Sequence, residues 1–142
     1  MANSLGTTTA LSGNANSLAS GSYVSMGVID FTTAPPHECL IEVSLQASTT
    51  TSGNKQVVLF LRDSIDGTNF SVAPSSSDEP NARLLGVVSL PDTTARRSIA
   101  FPVSQLFGGA LPQKVEVYAK NDCGVALAST GQVGQYRTET FG

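Results

Sequence analysis

The hydrophobic and polar positions alternate most clearly between residues 38 and 62. Cys39, Ile41, Val43, Leu45 and Ala47 alternate with Leu40, Glu42, Ser44 and Gln46, the period-two spacing of a half-buried β-strand. Thr49–Asn54 is small and polar and contains a Gly-Asn pair, which predicts a hairpin turn. The return strand, Gln56–Arg62, is apolar on both faces: Val57, Leu59 and Leu61 on one, Val58 and Phe60 on the other. Such a strand lies inside a sheet, or has its second face covered by another segment.

The same pattern extends outwards from this centre. Ser22–Phe31 predicts a strand that the Pro35-Pro36 loop stops. Asp66-Gly67 marks a tight turn, since glycine takes positive φ without steric cost, and Val72 is expected to continue the sheet briefly. Arg83–Leu90 predicts a strand with Leu84, Gly86, Val88 and Leu90 on one face and Leu85 and Val87 on the other. Thr94–Phe101 predicts another, with Ile99 and Phe101 inwards. Val103, Leu106 and Phe107 have helical spacing and precede Gly108-Gly109, which predicts one helical turn with a glycine stop. Gln113–Lys120 alternates, Asn121–Gly124 turns, Val125–Ser129 is expected to pair back as a hairpin, and Gln132–Phe141 is extended. About eight short, regularly spaced strands predict an all-β, two-sheet sandwich. A jelly roll is favoured over an immunoglobulin-like sandwich, because the chain has no Trp for the latter's Cys…Trp…Cys signature.

Residues 1–21 differ from the rest. They are Ser, Thr, Asn, Gly and Ala punctuated by Leu5, Leu11 and Leu18, too little apolar surface to fold alone. The expected organisation is an extended N-terminal arm, 1–21, followed by one β-sandwich domain, 22–142. The arm is expected to be held by its own domain, a sister copy or another partner.

Composition narrows the function classes. Charged residues are 13% of the 142, about half the usual share, and Ser and Thr fill most of the missing polar positions. The resulting surface is suited to being covered by neighbours. The net charge is −3 and the basic residues are scattered apart from Arg96-Arg97, which argues against nucleic-acid binding. No basic amphipathic stretch, apolar run of roughly 20 residues or signal-type segment is present, so a protein made in the cytoplasm and not bound to membrane is expected. Cys39 lies on an apolar strand face, where a buried free thiol is expected, while a Cys39–Cys123 disulfide stays open.

Candidate chemistry is sparse. His37 is the only histidine, follows two prolines and has no Gly-x-Ser-x-Gly elbow to serve. Asp63 and Asp66 flank a turn; a carboxylate pair can serve a hydrolase or a hard cation, but capping of the turn's own backbone is the expected use. One His and two Cys do not make a tetrahedral zinc site, and there is no phosphate loop or dinucleotide fingerprint. No enzyme activity and no cofactor are expected.

Two stretches carry a resemblance: Val57–Phe70, ending Ser64-Ile65-Asp66-Gly67-Thr68-Asn69-Phe70, and Gly108-Gly109-Ala110-Leu111-Pro112 through Val115–Asn121 to Gly124-Val125-Ala126-Leu127. Together, over roughly residues 38–129, the chain resembles small β-sandwich virion proteins of tailed bacteriophages, including capsid decoration (cement) proteins and related head or tail accessory proteins. The resemblance implies a structural protein of the virion, made in the host cytoplasm, that binds and stabilises an assembled shell. Its partners would be the major capsid protein or other virion subunits and, as a dimer or trimer, copies of itself, with neither nucleic acid nor membrane. Contacts are expected on the arm leucines Leu5, Leu11 and Leu18, and on Arg96, Tyr136 and Phe141. In that reading the arm is separable: removing residues 2–20 would leave the β fold intact and abolish shell binding. The alternative is a tail or head-fibre accessory protein that binds a carbohydrate receptor. The absence of Trp and the presence of only three Tyr (Tyr23, Tyr118, Tyr136) weigh against it, because sugar rings stack on aromatic platforms.

Overall fold

The computed structural model describes residues 4–91 and 94–141. Residues 1–3 of the expected arm, and residues 92, 93 and 142 of the expected domain, lie outside the described residues. The strands are β1 (Ser4–Leu5), β2 (Thr9–Ala10), β3 (Tyr23–Asp30), β4 (Glu38–Leu45), β5 (Gln56–Ser64), β6 (Arg83–Ser89), β7 (Arg97–Pro102), β8 (Lys114–Asp122) and β9 (Val133–Thr140). They form two antiparallel sheets packed face to face, the β-sandwich that the alternating pattern predicted. Sheet A runs β9-β4-β7, with β1 and β2 both paired on the far side of β9; sheet B runs β3-β8-β5-β6.

The expected β4–β5 hairpin does not form. β4 pairs with β7 and β9, β5 with β6 and β8, so the polar turn carries the chain from one sheet to the other. Ile41, Val43 and Leu45 line one inner face and Val57, Leu59 and Leu61 the other, all essentially buried. A reversal that placed these strands side by side would leave one apolar row without a facing layer. Crossing the sandwich gives each row a partner about 10 Å away. From β3 to β9, only the β5–β6 connection stays within a sheet. Val125–Ser129 likewise does not return beside β8; Leu127 bridges Ala47 next to sheet A.

Bulges shift the face assignments of two strands. Between Ser25 and Gly27 the β3–β8 register slips, and Met26 turns into the core. Between Leu59 and Phe60 the β5–β6 register slips, so Leu85 and Val88 point inwards while Leu84 and Val87 face out. The extra residue in each strand breaks the period of two. Gly86 meets the ring of Phe101 from β7; a Cβ there would come within 2.1 Å of the ring. Val72 lies in a loop without strand structure. The helical turn after Val103 is a 3-10 helix, Ser104–Phe107, ended by Gly108 at φ 72°. A second, Glu79–Asn81, sits in the long β5–β6 loop.

The N-terminal segment is built into the sandwich. Gly6, Leu11 and Ala15 donate backbone hydrogen bonds to Thr138, Gly134 and Gln132 at 2.8–2.9 Å, along the free edge of β9 and just past it. Gly13 N donates to Met26 O at 2.9 Å on the edge of β3, so the segment crosses from sheet A to sheet B. Both contact residues must be small: a Cβ on Gly13 would lie 2.8 Å from Ser25 O, and Gly27, at φ 123°, faces Ser12 just as closely. Leu11, Ala15 and Leu18 join the common core. The buried Asn121 amide ties the same region, donating to the carbonyls of Leu18 and Val125 at 2.7 Å while its oxygen accepts from Cys123 N. Buried polar groups are thereby satisfied where the strands stop.

The separable arm expected above is therefore corrected: apolar side chains of residues 11–18 belong to the core, and residues 4–15 shield two sheet edges. Leu18→Ala is expected to lower unfolding stability by about 2–4 kcal/mol, measured by urea denaturation. A chain lacking residues 2–20 is expected to lose cooperative unfolding.

Candidate functional site

The expected contact residues fall into two groups. Leu11 and Leu18 are buried in the core and Tyr136 packs half-buried against it, so these side chains are occupied by the chain's own fold. Leu5 is exposed on β1, Phe141 is exposed beyond β9, and Arg96 is exposed before β7. Arg96 is held across sheet A, donating to Gly131 O at 2.6 Å, Ser44 Oγ at 3.1 Å and Gln46 Oε1 at 3.2 Å. Phe141 stacks on the His37 ring, centroids 5.2 Å apart, and its N–H donates to His37 Nδ1. His37 thus anchors the end of the described chain.

Asp66 is engaged in its own loop. One carboxylate oxygen accepts from Thr68 N and Asn69 N at 2.8 Å and from the Ser64 hydroxyl at 3.0 Å; the other accepts from the Asn69 amide. The backbone donors of Asn69 and Thr68 hold its carboxyl well below the usual carboxylate range. Asp63 accepts from the Ser71 hydroxyl. Both cysteines are free and buried, and burial, assisted by neighbouring Glu38, pushes the Cys39 thiol up to about 12. Among the described residues, no three His, Cys, Asp or Glu side chains come together as metal ligands, and no helix is long and apolar enough to cross a membrane.

Three surfaces remain. The first is the outer face of sheet B, where the loop after β5 folds back over the strands. Arg62 lies over the Phe70 ring at 4.7 Å and the Tyr118 ring at 5.7 Å and pairs with Glu116, which also accepts from Ser25 Oγ. Glu79 accepts from Tyr23 Oη and from Lys120 Nζ, the latter at 2.8 Å. The Lys120 hydrogen bond, then that from Tyr23, holds the Glu79 carboxyl below its ordinary value. Phe60 is consequently buried although it faces outwards. This is the covering that the doubly apolar β5 required.

The second is a flank of the sandwich. The N-terminal segment closes the β9/β3 side, but β6 and β7 end their sheets side by side, with no strand among the described residues beyond them. Exposed there are Leu84 (52%), Val87 (39%) and Ile99 (42%), and β7 carries Arg97 at one end and Pro102 at the other. The third is the outer face of sheet A, where two shallow hollows meet at Glu42 and Gln135. The alternation along β4 already placed Glu42 and Ser44 outwards. Their neighbours on β7 and β9 were not legible, because they depend on strand pairing.

No family model and no curated protein matches the chain.

Glu38 joins β4 to the 3-10 turn. Burial would raise its pKa. Hydrogen bonds from the Ser104 hydroxyl and from the N–H groups of Ser104, Cys39 and Val103 outweigh that and hold it below its ordinary 4.5. A carboxylate depressed in the folded state adds stability above its unfolded pKa and loses it as the pH falls through the folded one. Acid unfolding should therefore steepen below about pH 4.5. Glu38→Gln is expected to be less stable than the natural protein at pH 7, with the gap narrowing towards pH 3, measured by thermal unfolding across that range.

Proposed function

We propose that this chain is a structural virion subunit of a tailed bacteriophage, a decoration or accessory protein that binds neighbouring subunits of an assembled shell through the open β6/β7 flank. The observation that carries the reading is the asymmetry of the sandwich edges. One flank is sealed by the chain's own N-terminal segment, at the cost of ordering a Ser/Thr/Gly-rich stretch. The opposite flank leaves two edge strands unpaired and three large apolar side chains half exposed. Unpaired strand edges are templates for pairing with another chain, and soluble proteins ordinarily blunt them. Arg97 and Pro102 blunt the ends of β7, while β6 has no charge from Leu84 to Ser89. A neighbouring subunit would supply the missing cover.

The low charge content and the sequence resemblance support the same reading. The burial of Leu11 and Leu18 moves the proposed contact from the arm to the flank. A subunit of this kind binds the assembled shell better than its separate parts, so it stabilises the shell by mass action. Head, neck and tail positions share this chemistry, and the reading extends to all three.

The experiment compares binding of the natural protein and of Val87→Lys/Ile99→Lys to phage capsids stripped of their own accessory proteins. Both side chains are partly exposed, so the double variant is expected to stay folded by circular dichroism and to bind at least about tenfold more weakly. Undiminished, saturable binding by the folded double variant would overturn the assignment to this flank. Failure of the natural protein to bind any tailed-phage shell would overturn the virion reading itself.

A further inference from the structure

We infer that the outer face of sheet A is a binding groove for a short, neutral oligosaccharide. The face is concave in two adjoining places. One hollow, of about 170 Å³, is lined by Thr8, Leu40, Glu42, Ala100, Gln135 and Arg137. The other, of about 340 Å³, includes Ala10, Glu42, Ser44, Ser98, Val133 and Gln135. Each draws residues from the N-terminal segment, β9, β4 and β7, so each runs across all four rows of the sheet. With rows about 4.8 Å apart, the groove is roughly 14 Å wide across the strands. The N-terminal segment and β7 form its two walls.

The shape and the chemistry point to the same ligand class. A peptide that extends a sheet lies along a strand edge and binds main chain. This groove instead crosses the strands and presents side chains. Its lining charges are one carboxylate, Glu42, and one guanidinium, Arg137, and Arg137 is paired with Glu139 Oε1 at 3.4 Å, so the lining offers no unpaired cation to an anionic ligand. Gln135 Nε2 donates to Glu42 Oε1 at 2.8 Å, which fixes a carboxylate and an amide side by side at the junction of the hollows. The Ser98 hydroxyl donates to Ser44 Oγ at 3.0 Å in the second hollow. A hydroxyl is both donor and acceptor, so neighbouring sugar hydroxyls suit a surface where such groups alternate at close spacing. Leu40, Ala100 and Val133 supply contact for the C–H faces of the sugar. The chain has no Trp to stack on a sugar ring, so affinity at this face would rest on hydrogen bonds and aliphatic contact.

This inference is independent of the assembly reading: β6 and β7 meet neighbours at the flank, whereas the groove lies on the outer face. The test uses the full-length ¹⁵N-labelled protein titrated separately with maltotriose, cellotriose, mannotriose and tri-N-acetylchitotriose, following backbone amide shifts. At least one is expected to give saturable shifts centred on Glu42, Ser44, Ala100 and Gln135. Glu42→Ala should weaken that binding at least about tenfold. Ala100→Trp, which fills the first hollow from an exposed position, should abolish it with the urea midpoint unchanged. The proposal is overturned if none of the four sugars gives saturable shifts. It is equally overturned if the shifts map to the Tyr23–Phe70 face of sheet B, or if they survive both substitutions. Groove shifts that depend on protein concentration alone, without sugar, would assign the face to a second copy of the chain and also overturn it.

Discussion

The fold depends on the facing of two apolar rows, Ile41, Val43 and Leu45 on β4 against Val57, Leu59 and Leu61 on β5. Neither strand is long, and each is buried on its inner side only because the other stands opposite. A fully buried aliphatic side chain contributes about 1.5–3 kcal/mol, so these six residues together contribute about 9–18 kcal/mol, comparable to the whole net stability of an ordinary domain. Everything else is arranged around keeping the rows covered. β8 and β9 flank them, Met26 is turned inwards by a bulge, and Leu11 and Leu18 close the β9/β3 side.

Closing that side has consequences for the surface. The N-terminal segment has little apolar content of its own, but the few leucines it has are placed where they complete the core. Its backbone meanwhile satisfies the edges of β9 and β3. Among the described residues there is no equivalent segment for β6 and β7. The sandwich therefore has a finished flank and an unfinished one, and the unfinished flank is where large apolar side chains meet solvent. The same segment also forms one wall of the hollowed outer face of sheet A. One stretch of polar sequence thus shapes both candidate surfaces, one by its presence and the other by its absence.

Polar groups that the packing buries are mostly paired. Asn121 and Gln132 bond backbone groups where the chain crosses between sheets, and Glu38 caps the turn after β7. Arg62 and Lys120 pair with Glu116 and Glu79 while lying over aromatic rings, which holds the β5–β6 loop on sheet B. Glu38, Glu79 and Glu116 each join separate elements of the fold through hydrogen bonds or ion pairs.

Period-two alternation is a property of one strand, and together with turn signals and apolar runs it placed the long strands of the described residues and the all-β class, while helical spacing before Gly108 placed the glycine-stopped turn. The doubly apolar Gln56–Arg62 segment pointed to a strand inside a sheet or with a covered second face, and β5 is both: it lies between β8 and β6, and the loop after it folds over its outer face. Strand pairing is a property of the whole chain, and a turn such as Thr49–Asn54 reverses direction equally well within a sheet or between sheets. Only packing of the two inner faces decided that β4 and β5 stand opposite each other. Bulges changed the faces of Met26, Leu84 and Leu85, because one inserted residue puts the side chains on one side of it out of step with the other. The N-terminal segment looked separable because burial of isolated leucines depends on the distant surface they reach. Glu42, Gln135, Ser98 and Arg137 came together for the same reason: pairing of β4 with β7 and β9 decided which outward-facing residues are neighbours.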